Sequence, residues 1–235
     1  MSAGVPAELA TYKAAQDIAR AVLAEIAGYI VPDATEQSLH QACHRLMLAH
    51  GASGYWGNTP AFVLAGNRLR DSVFDHRYIP AKVRLGEDEM ITIDVGPRIG
   101  DCFGDCARSY FLKGGELVTA DAAGPEQAAG MALEQRLHAE FVARAAPDMT
   151  FKTMYLQMDA LVREAGYENL DLLSNYGHSL AKRVSDFVLL DEKNDQPLSS
   201  VPFFTFEPHI ARRGSPLAVK LEEVYYFEND AVRML

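Results

Sequence analysis

Cysteine is scarce in this chain: 235 residues include three, Cys43, Cys102 and Cys106. An odd count without dense spacing excludes a disulfide framework. Cys102 and Cys106 stand in C-x3-C spacing, which could serve a metal. No second Cys/His pair at zinc spacing accompanies them, so reduced thiols in a packed strand region are the plainer reading. Positive charge is short as well. Lysine and arginine number 22 against 32 acidic residues, a net charge of −10. That balance argues against a nucleic-acid partner and against an anionic membrane surface. No apolar run approaches the roughly 18 residues of a membrane span. Residues 1–8 lack a basic stretch ahead of an apolar one, so they do not read as a secretion signal and the cytoplasm is the expected compartment. There is no Pro/Gly/Ser-rich linker and no repeat at a fixed period. A single domain over residues 1–235, with no separate N-terminal domain, is therefore expected.

What is present is ample apolar material, 49% of the chain, arranged with clear periodicity. Ile18, Val22 and Ile26 fall at i, i+4 and i+8 and predict a helix over residues 7–30 that Pro32 stops. Asp33 followed by Glu36 resembles a capping box for a second helix, with Leu39, Cys43, Leu46 and Met47 as its apolar stripe and Gly51 at its end. Strands are predicted at 61–65, 90–96 and 102–112, the last two as a hairpin around Gly100. Helices follow over 122–146 and 150–166, the second capped by Thr150 and ended by Gly166. Two further strands, 201–210 and 217–228, flank a Gly-Ser-Pro turn at 214–216. The order predicts an α+β fold with two similar halves, each of helices followed by strands.

The chemistry lies in acidic residues set inside apolar strand patterns, where an unpaired charge is costly. Asp94 ends Ile-Thr-Ile-Asp-Val-Gly, and Asp105 opens Asp-Cys-Ala-Arg-Ser-Tyr eleven residues later. Glu207 sits in Phe-Thr-Phe-Glu-Pro, and Glu222 and Glu223 in Lys-Leu-Glu-Glu. Four strands that each carry a carboxylate suggest a cation. His178, after Gly177, adds one imidazole. Such an oxygen-rich set suits Mn, Fe, Co or Zn, often as a pair. Each residue alone has an ordinary reading: Asp94 in a turn, Asp105 paired with Arg108, Glu222 and Glu223 facing solvent. The joint order points to a metal.

That ordered series resembles the pita-bread metallopeptidases, the M24-like family of methionine aminopeptidases, Xaa-Pro aminopeptidases, prolidases and creatinase. The resemblance spans about residues 60 to 228. It implies a pita-bread fold and two divalent ions, Mn, Co, Fe or Zn. It also implies that Asp94 holds one ion, that Asp105 and Glu222 bridge both, and that His178 and Glu207 complete the other. Glu222 rather than Glu223 matches the family's basic–aliphatic–Glu–acidic pattern. Glu207 would also be the general base, and His76, 18 residues before Asp94, would contact the scissile amide. The implied activity is hydrolysis near a peptide N-terminus. The Xaa-Pro type is favoured because Asp-x-x-Arg-Ser-Tyr resembles that branch's Asp-x-x-Arg-Thr-Phe. A methionine-type activity, or a small non-peptide substrate on the same fold, is the alternative. A small peptide or small molecule is the expected partner, and a homodimer stays open. One departure stands out. Seven residues after His178, where the family carries a second histidine beside the substrate carbonyl, this chain has Ser185. His209, two residues after Glu207, could supply an imidazole near the substrate instead, or stand behind the site.

Overall fold

The computed structural model describes residue 6 and residues 8–73 and 75–235. Its N-terminal half opens with two helices, α1 (Leu9–Ile26) and α2 (Glu36–Ala49). The helix expected to reach residue 30 tightens into a 3-10 turn at Ala27–Tyr29. The capping box of α2 is Thr35 with Ser38, not Asp33 with Glu36. Thr35 Oγ1 accepts from the Ser38 N–H at 3.0 Å, and Ser38 Oγ accepts from the Thr35 N–H at 2.8 Å. Asp33 has a left-handed backbone, φ 72°. Glu36 turns inward, accepting from the Ala65 and Ala81 amides at 3.0 and 2.7 Å and pairing with Arg68.

Seven strands follow: β1 (Gly54–Tyr55), β2 (Ala61–Ala65), β3 (Glu89–Val95), β4 (Pro97–Ile99), β5 (Cys102–Phe103), β6 (Cys106–Lys113) and β7 (Glu116–Val118). Strands β2-β3-β6-β7 form an antiparallel sheet, and β1-β4-β5 a small one. In the register of β3 with β6, Asp94 lies opposite Ala107. The apolar faces of α1 and α2 pack Val22, Ile26, Leu39 and Met47 against Val63, Ile91 and Ile93.

The C-terminal half repeats the plan. It comprises α3 (Ala120–Ala123), α4 (Pro125–Arg144), α5 (Phe151–Glu164), β8 (Tyr167–Asn169), β9 (Phe204–Phe206), β10 (His209–Arg212), β11 (Ala218–Lys220), β12 (Glu223–Glu228) and β13 (Ala231–Met234). The single helix expected over 122–146 is two, because Gly124 is extended and Pro125 starts α4 afresh. Thr150 caps α5 as expected, its Oγ1 accepting from the Thr153 N–H at 3.0 Å.

Each long strand expected near the C-terminus changes sheet midway: β8, β10 and β11 form one sheet and β9, β12 and β13 another. Pro208 has no N–H to continue a ladder and separates β9 from β10. Leu221 and Glu222 separate β11 from β12. There the Glu222 N–H reaches the Ala107 carbonyl at 3.2 Å, joining the two halves beside Asp94. Phe141 of α4 stacks on Phe206 at 4.5 Å and anchors the second core. The three cysteines are buried free thiols. Among the described residues no helix is long and apolar enough to cross a membrane.

Candidate metal centre

The two halves bring their acidic residues to one place. Asp94, Asp105 and Glu222 each point a carboxylate oxygen into a cluster whose atoms lie within 4.8 Å of one another. Glu207 and His178 complete its edge. His178 Nε2 is 3.3 Å from Glu207 Oε1 and 3.8 Å from Asp105 Oδ2. Local structure sets each side chain. Gln16 of α1 grips the Asp105 backbone, its Oε1 accepting from the Asp105 N–H at 2.8 Å and its Nε2 donating to the Asp105 carbonyl at 2.9 Å. This approach requires glycine at 104, where a Cβ would lie 2.7 Å from Ala15 O and the Gln16 backbone. Gly177, at φ 149°, lets the chain before His178 press on Thr205, whose carbonyl a Cβ would strike. The Thr205 hydroxyl then accepts from the His178 N–H at 2.9 Å and donates to Glu207 Oε1 at 3.0 Å. Glu223 turns the other way, to Arg20 at 2.6 Å and to Arg108.

Lys220 was not singled out in the sequence, yet it offsets part of the cluster's negative charge. Its Nζ donates to Asp94 Oδ2 at 2.6 Å and Glu207 Oε2 at 2.8 Å, and lies 3.4 Å from Glu222 Oε2. The signal available was its alternation with Glu222: residues two apart on extended chain share a face. Burial alone would depress its pKa, but Asp94, Glu207 and Glu222 hold it well above the usual lysine range. Burial, then the charges of Asp94 and Glu207, push Asp105 far up. Burial, then Asp105 and Glu207, do the same to Glu222. Burial also raises Asp94 despite Lys220. Glu207 alone falls below its ordinary value, since Lys220 and His178 together outweigh its burial. One ammonium among four carboxylates leaves the cluster short of positive charge. Both oxygens of Glu222 are buried with no hydrogen-bond partner among the described residues.

Asp94, Asp105, His178, Glu207 and Lys220 line a cavity of about 240 Å³. Its walls are mainly apolar, including Trp56, Phe62, Leu173 and Phe187. His209 lines it, but its Nε2–H is given to the Leu69 carbonyl at 2.7 Å, and burial lowers its pKa to about 4. It is a neutral, tethered wall residue. Ser185 lies outside the wall. The 3-10 turn Val184–Asp186 faces it to solvent, where its hydroxyl donates to Asp186 at 3.0 Å, and Val184 and Phe187 line the cavity instead. His76 is exposed on the 3-10 turn Asp75–Arg77, just past the wall segment of Asp71, Ser72 and Val73.

The profile of Metallopeptidase family M24 matches residues 10–229. Compared by sequence with curated proteins, the chain matches none. Solved structures share its fold. An X-Pro aminopeptidase from Thermotoga maritima MSB8 superposes with a TM-score of 0.78 at 19% identity, covering 97% of this chain and 60% of that one. The prolidase from Pyrococcus furiosus gives 0.79 at 16%, with 98% and 64% coverage. Methionine aminopeptidase from Rickettsia prowazekii gives 0.71 at 17%, with 100% and 99%. The chain thus spans about three fifths of the X-Pro aminopeptidase and nearly all of the methionine aminopeptidase. The expected α+β pita-bread fold, with two similar helix-and-strand halves, is the fold observed, its strands arranged in four antiparallel sheets among the described residues rather than in one curved sheet.

Proposed function

Because the chain belongs to metallopeptidase family M24, we propose that it is a hydrolase that removes residues near a peptide N-terminus, of the Xaa-Pro type, with two divalent ions. The carrying observation is the buried carboxylate of Glu222, whose oxygens accept no hydrogen bond among the described residues, within a cluster of four carboxylates and one imidazole that share a single ammonium. Carboxylates so placed repel one another and are costly to keep charged, and divalent cations supply the missing charge. Asp94, Asp105, His178, Glu207 and Glu222 would hold them, and hard oxygen donors with one histidine suit Mn, Co, Fe or Zn. Such a pair, when bound, acidifies water and polarises a carbonyl.

The remaining work falls to the chain's own residues. Glu207 is the one cluster carboxylate held below its ordinary pKa, so it stands ready to accept a proton from the attacking water and return it to the leaving nitrogen. The Thr205 hydroxyl donates to Glu207 Oε1 and the Lys220 ammonium to Oε2, so both oxygens of the base are oriented. The apolar walls exclude water and take the substrate's side chain. His76, exposed on the turn just past the wall segment of Asp71, Ser72 and Val73, is proposed to meet the scissile amide when substrate is bound. A small non-peptide substrate is the second reading. What favours it is that His209, the imidazole lining the cavity besides His178, is neutral and tethered to Leu69.

The test is metal analysis followed by assay of Xaa-Pro and Met-Xaa peptides. Reconstituted protein is expected to hold close to two equivalents of metal and to lose activity in chelator. Glu207→Gln is expected to lower kcat about 10²–10⁴-fold while the metal-free circular dichroism stays unchanged. Full kcat in that variant would remove Glu207 from catalysis. Metal binding without hydrolysis of any peptide would favour the second reading.

A further inference from the structure

We infer that Phe187 is a positioning residue that holds the His178 imidazole in its ligating orientation; the inference rests on the metal reading of the site. The two rings stack with centroids 4.0 Å apart and planes 8° from parallel. Trp56 stacks on Phe187 at 5.2 Å and 21°. Two rings this close and nearly parallel to a third cannot share one of its faces, so Phe187 is a wedge between His178 and Trp56. Trp56 is itself fixed. Its Nε1–H donates to the Ala181 carbonyl at 3.2 Å, its backbone N–H reaches Gly96 O at 2.8 Å, and its ring packs on Phe103 at 5.7 Å. Gly96 lies two residues past Asp94. The stack therefore ties His178, from the C-terminal half, to the strand end that carries an N-terminal carboxylate.

Two constraints then define the imidazole. Phe187 sets the plane of the ring. The Ser179 carbonyl, 3.1 Å from Nδ1, sets its direction in that plane and takes the Nδ1 proton. Nε2 is left facing Glu207 and Asp105. A ligand imidazole usually has its second nitrogen fixed by a carbonyl or carboxylate; here a flat hydrocarbon face adds the missing rotational control. The outward turn of Ser185 fits this arrangement. The segment Val184–Phe187 brings to the cavity two apolar side chains and no proton donor, so its contribution near His178 is alignment.

The experiment compares full-length wild type, Phe187→Tyr and Phe187→Leu. Leucine keeps apolar bulk without a flat face, and tyrosine keeps the face. Cobalt(II) is titrated into metal-free protein and followed by its visible absorption. The His178 ring nitrogens are read in the metal-free state by nitrogen-15 NMR. Phe187→Leu is expected to weaken cobalt binding about 10–100-fold, as loss of ligand support does elsewhere. It should also move the His178 nitrogens toward averaged tautomer shifts. Phe187→Tyr should stay within about twofold of wild type in affinity, with wild-type nitrogen shifts. Thermal unfolding of the metal-free variants records any general damage. Cobalt affinity in Phe187→Leu within about twofold of wild type would overturn the inference, as would equal losses in both variants. A wild type that binds no cobalt would instead remove the metal reading, and this inference with it.

Discussion

Lys220 shows at the scale of one residue what the cluster needs. Its ammonium touches three of the carboxylates proposed as metal ligands, from a position 126 residues along the chain from Asp94. Lys220→Met would leave those carboxylates without a cation, and a buried charge stripped of its partner typically costs about 3–5 kcal/mol. Metal-free Lys220→Met is therefore expected to unfold markedly below wild type at pH 8. The gap should narrow as pH falls, because Asp105 and Glu222, both held above the ordinary carboxylate range by burial and by the neighbouring carboxylates, take up protons instead. Manganese should stabilise the variant more than it stabilises wild type, since the metal replaces what was lost. Calorimetry with chelator and with metal measures both effects; equal metal-free stability at pH 8 would show that the ammonium carries no compensating role.

At the scale of an element, α4 holds the other orphaned acid. The helix lies against β11 and the chain after it. A Cβ at Gly130 would stand 3.2 Å from Val219 Cγ1, and His138 Nε2–H donates to the Leu221 carbonyl at 3.1 Å. Glu134, one turn from each, is fully buried, and neither of its oxygens has a hydrogen-bond partner among the described residues. Burial pushes its pKa far above 4.5, and Lys220 only partly opposes this. The native state thus keeps a proton that the unfolded chain releases above about pH 4.5. In that range stability falls as pH rises, by about 1.4 kcal/mol per pH unit until the folded pKa is passed. Glu134→Leu removes this slope and an unsatisfied polar group worth about 1–3 kcal/mol. Urea unfolding at pH 5 and pH 8 should show the variant gaining on wild type as pH rises, and parallel curves would contradict it.

Across the whole molecule, the site exists only because two halves meet. Asp94 and Asp105 come from the first, and His178, Glu207 and Glu222 from the second. Glu223 of β12 is one of the ties between them. It accepts from Arg20 of α1 and Arg108 of β6, with Gln16 Nε2 at 3.4 Å. Burial would raise its pKa, but Arg108 and Arg20 hold it below the ordinary glutamate value. Its stabilisation is therefore present above about pH 4.5 and lost as pH falls through the lower folded value. Glu223→Ala leaves two arginines without their acceptor and is expected to cost about 3–5 kcal/mol at pH 7. Denaturant unfolding checks this, and a loss below about 1 kcal/mol would mark the tie as a surface-like pair.

Local chemistry made much of this legible in the chain itself. Helix periodicity, the Thr150 cap, the Gly-Ser-Pro turn and the α+β order depend on neighbours within a few residues. Carboxylates inside Ile-Thr-Ile-Asp and Phe-Thr-Phe-Glu stood out because burying charge is costly enough to demand a reason. Other features were settled only by the tertiary structure. The strands around Pro208 and Leu221 change sheets because each finds its hydrogen bonds in a different partner, which no periodicity records. Glu36 left the expected capping box because Arg68 and two distant amides offered a buried acid more partners than solvent-facing Asp33 could. Ser185 and Phe187 differ by two residues, yet a single 3-10 turn sends one to solvent and the other onto His178. Lys220 and Glu134 take their meaning from groups far off in sequence and close in space, and that proximity is a property of the packed core.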